Sequence, residues 1–498
     1  MDSPKRIAII GGGIAGLSAG IYAQRHGFRT TIYEKNTLPG GACMGWMNGQ
    51  LPIEGNMSFL VGAGEDTALY RCWNEVGALE NTMFVHPDSL FTLEDSGEVV
   101  EFSQDLEQFC RNAEKISPED RTLLHRFCEA VLKAEEYELP VSQPEDLAGP
   151  LKSRHFNSAN GEIKKMLTRL RSVSLSDFAE QFHHPALRCA FLNVLPQGST
   201  LAALVLFYGK FISGDLAVPV GGSRKLTERM VSFYQTSGGE LRLNTPVKEI
   251  IVANGAARGV VLENGERLLT HWVIAACDPE YTHRVLLQDR YTLEKKLQVR
   301  YENPEIYPTF SRVRLFFSAP VDCVPLARVF SFPTDDIPAA GDGISRLTVT
   351  QYSDDPSFVK NGQTELVAEI PMTGKRAFRY WAELAVQQDV YEEAIDRLAG
   401  AVQFALEKRF PRMKGQLQFL TCHTPVTYAE RLHVYHGSCT AFVPTSHARL
   451  TQLTGRVSGL KKFLLTGQWL GNTAGMHTAL VQGKFTAERL CHDEQIQW

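Results

Sequence analysis

The chain has 498 residues, which at about 150 residues per domain allows roughly two to four domains. Its 44% hydrophobic and 21% charged residues are typical of globular proteins and exclude disordered and collagen-like chains. The net charge of −5 leaves no basic excess to attract nucleic acid, so we expect no nucleic-acid partner. No apolar run approaches the roughly 18 residues that a membrane span needs, so we expect no span.

The cysteines and the first residues bear on the cellular compartment. The ten cysteines are scattered, with no Cys-x-x-Cys pair and no histidine at zinc spacing, so we predict no metal site. The chain enters an apolar run at Ile7 without the charged, apolar and small-residue order of a secretory signal. We therefore expect a cytoplasmic protein, with peripheral contact to a membrane left as an open alternative.

The first forty residues predict a dinucleotide-binding unit of strand, helix and strand. Ile7–Ile10 is a continuous apolar run, as expected of a strand buried on both faces. A Gly-x-Gly-x-x-Gly motif follows at Gly11, Gly13 and Gly16 and opens an apolar-periodic helix. Thr30–Tyr33, which is β-branched and aromatic, predicts the second strand.

Each part of this motif has a physical role. Gly11 permits a tight turn, Gly13 lets the backbone approach a pyrophosphate, and Gly16 lets the helix pack closely on the strand. The helix start supplies free N–H donors and the positive end of the helix dipole. Glu34 directly follows the second strand, where a carboxylate accepts hydrogen bonds from an adenosine ribose.

The residues after Glu34 distinguish between NAD and FAD, which share the glycine motif. Glu34 is followed by five residues, Lys35–Pro39, and then by Gly40 and Gly41. This pattern resembles the FAD-binding fingerprint of amine oxidases, protoporphyrinogen oxidases and carotenoid desaturases. The resemblance implies that FAD is the cofactor. Those relatives carry an acid and a glycine shortly downstream, where this chain has Ile53–Met57.

A second segment of the same domain lies in the middle of the chain. Val218–Arg224 opens a predicted helix that runs to about Ser237. It is followed by Asn-Gly dipeptides at Asn254 and Asn264, which are strong hairpin signals. They predict an antiparallel meander of three strands, over residues 247–252, 258–262 and 266–269. The resemblance implies that the backbone of Val247 holds the adenine.

The C-terminal segment contains a buried strand, a glycine-rich turn and a helix. The strand leads into Gly467 and Gln468, and Gly475 and Met476 open a helix that runs to about residue 490. Backbone donors at this helix start can stabilise negative charge at N1 and O2 of a reduced flavin. His477 lies in the first turn and is our candidate catalytic residue, for proton transfer at the substrate carbon.

These segments together resemble the carotenoid desaturase, carotenoid isomerase and retinol saturase group over essentially the whole chain. The resemblance implies a FAD-dependent oxidoreductase that forms, saturates or isomerises carbon–carbon double bonds of a lipophilic polyene, isoprenoid or retinoid-like substrate. Hydride would pass between a substrate carbon and flavin N5. Two positions depart from the group: Gln468 stands where relatives have an acid, and His477 where they tend to have proline.

Other assignments stay open at this point. A single Gly-x-Gly-x-x-Gly motif leaves no second domain for NAD(P)H, which favours oxygen or a quinone as the electron partner. One alternative is a flavin amine oxidase, which needs an aromatic cage beside the flavin. Another alternative is a FAD-bearing binding protein without turnover.

The predicted fold class is α/β, with a doubly wound Rossmann-like FAD-binding domain and an inserted α+β substrate domain. We assign residues 1–65, 215–289 and 437–498 to the FAD-binding domain and residues 66–214 and 290–436 to the substrate-binding domain. The motifs and the resemblance together assign these residues to the cofactor: Gly11, Gly13, Ile14, Ala15, Gly16, Glu34, Lys35, Gly41, Ala42, Met57, Val247, Gly467, Gln468, Gly475 and Met476.

Two further features carry expectations. Phe191–Phe211 is strongly apolar, which indicates either a buried helix or a wall for a hydrophobic substrate. His433 and His436 are spaced i, i+3 without neighbouring cysteines or carboxylates, so we expect them on the solvated surface.

Overall fold

The computed structural model describes residues 3–148, 161–339 and 342–498. In chain order its strands are β1 Arg6–Ile10, β2 Arg29–Tyr33, β3 Gly45–Asn48, β4 Leu51–Glu54, β5 Leu60–Val61, β6 Phe84–Val85, β7 Ser89–Asp95, β8 Glu98–Ser103, β9 Leu216–Pro219, β10 Glu240–Arg242, β11 Val247–Ala253, β12 Ala256–Leu262, β13 Arg267–Leu269, β14 Trp272–Ala275, β15 Thr292–Leu293, β16 Phe310–Pro320, β17 Val329–Ala339, β18 Asp342–Gln351, β19 Gln363–Thr373, β20 Gln418–His423, β21 Val457–Ser458 and β22 Phe463–Leu465.

The helices follow the same order. They are α1 Ile14–Arg25, α2 Ala68–Glu75, α3 Leu106–Ile116, α4 Arg121–Glu135, α5 Gly161–Leu170, α6 Leu175–Ala179, α7 Pro185–Asn193, α8 Leu201–Ile212, α9 Gly222–Thr236, α10 Pro279–Tyr281, α11 Lys295–Glu302, α12 Gly374–Leu384, α13 Gln388–Arg409, α14 Pro425–Leu432 and α15 Met476–Asp493. Within the described ranges, none of these helices is both long and apolar enough to cross a membrane.

The segments that we assigned to the FAD-binding domain form a parallel five-stranded sheet in the order β10-β2-β1-β14-β22. Side chains of β1 alternate between two hydrophobic clusters. Ile7 and Ile9 pack with the helices on one face, and Ala8 and Ile10 pack with the meander on the other. The prediction that this strand is buried on both faces is confirmed, and the fold is of the predicted α/β class.

The antiparallel meander formed by β11, β12 and β13 covers the second face of the parallel sheet. It begins and ends within two residues of the predicted strands. The helix predicted before it is also present, as α9. Local turn chemistry was enough to predict the meander, since Asn254 takes the left-handed backbone conformation (φ 53°) that an Asn-Gly turn favours.

The largest sheet has seven strands, in the order β20-β16-β19-β18-β17-β7-β8. It draws strands from residues 89–103 and from residues 310–423, so both segments that we assigned to the substrate domain contribute to one sheet. The two assignments do not separate cleanly, because β6 pairs with β9 of the other assigned domain. Residues 1–2, 149–160 and 340–341 of the assigned segments lie outside the described residues.

Behind β7 and β8 lies a helical layer that contains α3, α4, α7 and α8. The apolar stretch Phe191–Phe211 belongs to this layer, where Leu204, Val205 and Tyr208 are fully buried. The buried-helix interpretation is therefore correct for one face of α8, whereas residues 194–200 are not helical and Leu192 is 44% exposed. Phe207 is an exception, because it is only half-buried and faces a cavity.

Candidate functional site

The carboxyl ends of the parallel strands converge on one cavity of about 350 Å³. Gly11 follows β1, Glu34 follows β2, Ala276 follows β14 and Gly467 follows β22, and all four residues line this cavity. Parallel strands open a crevice at their carboxyl edge where the strand order reverses, which is the usual ligand position in such sheets.

Nearly all of the residues that we assigned to the cofactor from the sequence line this cavity. Its lining includes Gly11, Gly13, Ile14, Ala15, Glu34, Lys35, Gly41, Ala42, Met57, Val247, Gly467, Gln468, Gly475, Met476 and the candidate catalytic residue His477. Gly16 does not line it. A Cβ on Gly16 would lie 2.0 Å from the Gly11 carbonyl oxygen, so this residue allows the helix to pack beneath the cradle.

The two glycine motifs near the N-terminus form one continuous backbone cradle. The Gly40 amide donates to the Gly12 carbonyl oxygen at 2.9 Å, and Gly13 forms a β-bridge with Gly40. A Cβ on Gly40 would come within 2.4 Å of the Cys43 carbonyl oxygen, and one on Gly41 within 3.3 Å of the Gly13 Cα. Because side chains would close this space, the cradle fits a ligand that the bare backbone must approach, such as a pyrophosphate.

Two helix N-termini point into the cradle. The N-cap residues are Gly13 for α1 and Gly475 for α15, and among the described residues no side chain caps either first turn. Neither first turn contains an acidic residue. The free amides and the positive ends of both dipoles therefore remain available to a negatively charged ligand.

Glu34 is buried and anchors the loop as well as facing the cavity. One carboxylate oxygen accepts from the Gly12 amide at 2.8 Å, and the other accepts from the backbone and side-chain nitrogens of Asn36, both at 2.8 Å. A carboxylate offers about four acceptor positions, so one remains for a ribose hydroxyl. This arrangement fits the role predicted for Glu34.

Gln468 has a partner inside the protein. Its Oε1 accepts a hydrogen bond from the Gly475 amide at 3.0 Å and so closes the glycine-rich turn before α15. The sequence suggested that this amide replaces an acid that would bind the flavin ribitol. The structure uses one lone pair of this oxygen for the turn, which leaves the second lone pair and the amide N–H groups for such a contact.

Glu54, which marked a departure from the family pattern, holds two segments together. Its carboxylate accepts from the Asn56 amide at 3.0 Å and the Met57 amide at 2.8 Å. It also accepts from the Ser223 amide at 2.7 Å and the Ser223 hydroxyl at 2.5 Å. Glu54 thus positions Met57 in the cavity wall and fixes the start of α9.

His477 lies where the sequence placed it, in the first turn of α15 and in the cavity wall. Its Nε2 is 3.4 Å from the Thr473 hydroxyl, and its ring lies over Gly475. Burial lowers the pKa of His477 to about 4, so the imidazole is neutral at pH 7. A neutral imidazole has one ring nitrogen with a free lone pair, through which it can accept a proton.

His433 corrects an expectation. It was predicted to be solvated, yet it lines the cavity, packs on Tyr281 at 4.3 Å between ring centroids, and is half-buried. Burial and, secondarily, the charge of Lys35 lower the pKa of His433 to about 4. His436 is half-buried as well and stacks on Tyr435. The i, i+3 spacing carried no information about the elements that cover these rings.

Asp278 is a cavity residue that sequence reasoning missed. Its carboxylate is buried and accepts from the amides of Glu280 and Tyr435 and from the Tyr301 hydroxyl, at 2.7, 2.9 and 3.1 Å. Burial raises the pKa of Asp278 to about 6 against these stabilising hydrogen bonds. Asp278 lies just beyond the carboxyl end of β14, next to β1, and this position could have identified it as a site residue from the sequence.

Arg312 lies on β16 of the seven-stranded sheet and lines the cavity. Its guanidinium donates to the Asn56 side chain at 2.6 Å and to both oxygens of Glu369, at 2.9 and 3.1 Å. Glu369 also pairs with Arg314. Burial opposes ionisation of Glu369, but the two guanidiniums hold its pKa below the usual range. No local motif marks this residue.

One part of the cavity wall is apolar and lies away from the glycine cradle in the sequence. It is formed by Phe59, Val61 and Phe207, which all pack against the hydrophobic cluster of the helical layer. Phe207 comes from α8, so the helical layer contributes directly to this wall. An apolar wall of this kind excludes water and favours a hydrophobic ligand.

Comparison with known proteins agrees with the geometry. Residues 14–491 match the family described as flavin containing amine oxidoreductase. The chain is 24% identical over 514 residues to phytoene desaturase (lycopene-forming) of Paracoccus sp. (strain N81106 / MBIC 01143), covering 98% of each chain. It is 22% identical over 514 residues to the zeta-carotene-forming phytoene desaturase of Myxococcus xanthus, covering 98% of this chain and 94% of that one.

A solved structure shares the fold. Cyclohexylamine oxidase from Brevibacterium oxydans IH-35A superimposes with a TM-score of 0.59 at 14% identity, covering 99% of this chain and 100% of that one. The family match begins at Ile14, directly after the first glycine turn, and extends over four of the five parallel strands and the start of α15. The protein is therefore an enzyme, a flavin-dependent oxidoreductase with FAD as its cofactor, and it belongs to the flavin containing amine oxidoreductase family.

Proposed function

We propose that the protein introduces carbon–carbon double bonds into a lipophilic polyene or isoprenoid substrate. The observation that carries this proposal is the similarity to phytoene desaturases along nearly the whole chain. The apolar wall beside the glycine cradle supports it, because a hydrocarbon chain offers no hydrogen bonds and binds through buried apolar surface. Saturation and isomerisation of the same bonds are alternative outcomes of the test below.

We assign the cofactor to the cradle in three parts. The amides of Gly13, Ile14 and Ala15 would hold the pyrophosphate, and Glu34 the ribose. The start of α15, at Gly475 and Met476, would lie at the pyrimidine side of the flavin. FAD, when bound, supplies hydride transfer at N5. Oxygen or a quinone is the proposed electron acceptor, because we identify one dinucleotide motif in the chain.

The protein's own groups would handle the proton and exclude water. His477 is neutral at pH 7 and is the proposed acceptor of a proton from the carbon next to the reacting one. The apolar wall keeps water from the reacting carbons. Because the substrate is insoluble in water, we also expect the protein to take it from a lipid surface, which flotation with vesicles tests.

The experiment is anaerobic reduction of the flavin in purified holoenzyme. We expect a panel of partly saturated isoprenoid hydrocarbons to bleach the flavin, with chromatography showing a product that has one more double bond. Reoxidation of chemically reduced enzyme by a polyene would instead indicate saturation, and a changed isomer without bleaching would indicate isomerisation.

The same preparation separates the remaining alternatives. Release of peroxide with an amine panel in air would identify an amine oxidase and overturn the proposal. Flavin that none of these compounds reduces or reoxidises would identify a FAD-bearing binding protein. Each result has its own spectroscopic or chemical readout.

A further inference from the structure

A cluster of metal-ligating side chains lies in the helical layer, outside the cavity. Helices α3 and α4 form a hairpin, joined by a short turn over residues 117–120. Cys110 and Glu114 are spaced i, i+4 on α3, and His125 and Cys128 are spaced i, i+3 on α4. Both spacings place the paired side chains on one face of their helix, and the two faces meet.

The ligand atoms are close enough to share one ion. The Cys110 Sγ is 3.4 Å from the Glu114 Oε1, and the His125 Nε2 is 2.6 Å from that same oxygen. The three atoms all lie within 4.8 Å of one another. Zinc bonds of 2.0–2.3 Å in a tetrahedron separate ligand atoms by about 3.3–3.8 Å. Only the His125 ring has to move outward, and its side chain is 51% exposed.

Two neighbours surround the group. Cys128 follows His125 at i, i+3 on α4, but its thiol is not among the three ligand atoms that lie this close together. Arg121 lies 3.6 Å from the other carboxylate oxygen of Glu114. Glu114 can therefore keep this ion pair through Oε2 while Oε1 binds a metal, an arrangement that orients the ligand from outside.

We propose that Cys110, Glu114 and His125 form a Zn²⁺ site that fastens α3 to α4. Thiolate and imidazole ligands select zinc over the hard cations Mg²⁺ and Ca²⁺. The three side chains supply one sulfur, one oxygen and one nitrogen ligand, and a water molecule completes the tetrahedron. Binding forms one Zn–S bond and releases the Cys110 thiol proton to solvent, without electron transfer.

The sequence predicted no metal site because its zinc patterns require ligands at standard spacings. Here the spacings are those of two helix faces, and the hairpin brings them together. The site shares no residue with the cavity lining, so the proposal is independent of the proposed substrate.

The test uses tag-free, flavin-loaded protein, incubated with Zn²⁺ and then freed of excess metal by gel filtration. We expect one Zn²⁺ per chain by elemental analysis in the wild type. Because His125 is exposed, His125→Ala should fold normally, and its Zn²⁺ affinity should fall by more than the roughly 10–100-fold that losing an outer-shell partner costs. Cys110→Ser is the second variant, and Zn²⁺ should raise the melting temperature of the wild type but of neither His125→Ala nor Cys110→Ser.

The matched control is His183→Ala. His183 also pairs with a carboxylate, Asp120, at 2.7 Å, but within the described chain it belongs to no metal-ligating cluster. This variant should bind Zn²⁺ like the wild type. Replacing Zn²⁺ by Co²⁺ should give ligand-field bands beyond the flavin absorption and a sulfur-to-metal charge-transfer band. Equal Zn²⁺ content in wild type and His125→Ala, or Co²⁺ spectra without sulfur ligation, would overturn the proposal.

Discussion

The carbonyl oxygen of Gly11 lies 2.0 Å from the point that a Cβ on Gly16 would occupy. The turn after β1 and the first turn of α1 are therefore in direct backbone contact. By contrast, the nearest atom to a Cβ on Gly13 would be 3.7 Å away, which is ordinary van der Waals contact. Gly16 and Gly13 thus serve different purposes within one motif, and substitutions should distinguish the packing role of Gly16 from the ligand-approach role of Gly13.

Gly16→Ala should destabilise the protein. The added methyl group overlaps the Gly11 carbonyl, so α1 must shift away from the sheet, at a cost of about 1–3 kcal/mol. Urea denaturation of the flavin-free protein measures this loss. Unchanged stability of the apoprotein would show that the helix moves freely and that the contact is unimportant.

Gly13→Val should leave the apoprotein stable and prevent flavin retention. The larger side chain has room in the protein but fills the space through which the backbone approaches the pyrophosphate. The ratio of flavin to protein absorbance after purification measures the effect. A Gly13→Val protein that stays yellow after reconstitution would contradict the assignment of this cradle to FAD.

His477→Ala should keep its flavin and lose turnover. Because burial lowers the pKa of His477 from 6.5 to about 4, the neutral imidazole persists at every pH well above 4. The wild-type profile of kcat/KM against pH should therefore show no inflection from this group near 6.5, and activity should fall only as the pH drops through about 4. An inflection near 6.5 that disappears in His477→Ala would contradict this.

Phe207→Ala should weaken substrate binding without changing the flavin spectrum. Losing the contact of a phenyl ring with a hydrocarbon costs roughly 1.5–3 kcal/mol, which corresponds to at least about a tenfold rise in KM. Leu206→Ala is the matched control, because Leu206 lies on the same helix but outside the cavity lining. Equal effects of the two substitutions would remove Phe207 from the substrate site.

Glu494 should stabilise the fold in a pH-dependent way. It binds Lys5, Lys462 and the Trp272 indole, and so joins the amino ends of three parallel strands at the edge opposite the cavity. Burial opposes ionisation, but hydrogen bonds from Lys462, Lys5 and Trp272 lower the pKa of Glu494 from 4.5 to about 2.

A carboxyl whose pKa is depressed on folding contributes stability above its ordinary pKa and loses it as the pH falls. Glu494→Gln should therefore reduce the unfolding free energy by about 1–2 kcal/mol at pH 7, since the two lysines are partly exposed. The difference should shrink between pH 4.5 and 2. Denaturant titrations at several pH values test this, with the exposed Glu98→Gln as the control. A gap that persists at pH 2 would rule out the charge as its cause.

Local backbone chemistry made much of the cradle predictable. Gly11 and Asn254 occupy positive-φ positions that their residue types favour, and the strand–glycine–helix order brings Gly13 and Gly475 to helix starts. These features depend on neighbours within about ten residues. They could therefore be inferred without knowing how the chain packs.

Long-range packing decided the rest. Arg312 reaches the cavity because Glu369 and Asn56, both more than 50 residues away in the chain, hold its guanidinium. Tyr281 covers the His433 ring, and the side-chain oxygen of Gln468 accepts a hydrogen bond that closes a turn. The sequence alone specifies the parallel sheet and the cradle, since these follow from local periodicity and glycine spacing, and its resemblance to the FAD-binding fingerprint implied the flavin. Burial, hydrogen-bond partners and pKa values depend on which distant elements pack together, so only the tertiary structure settled them.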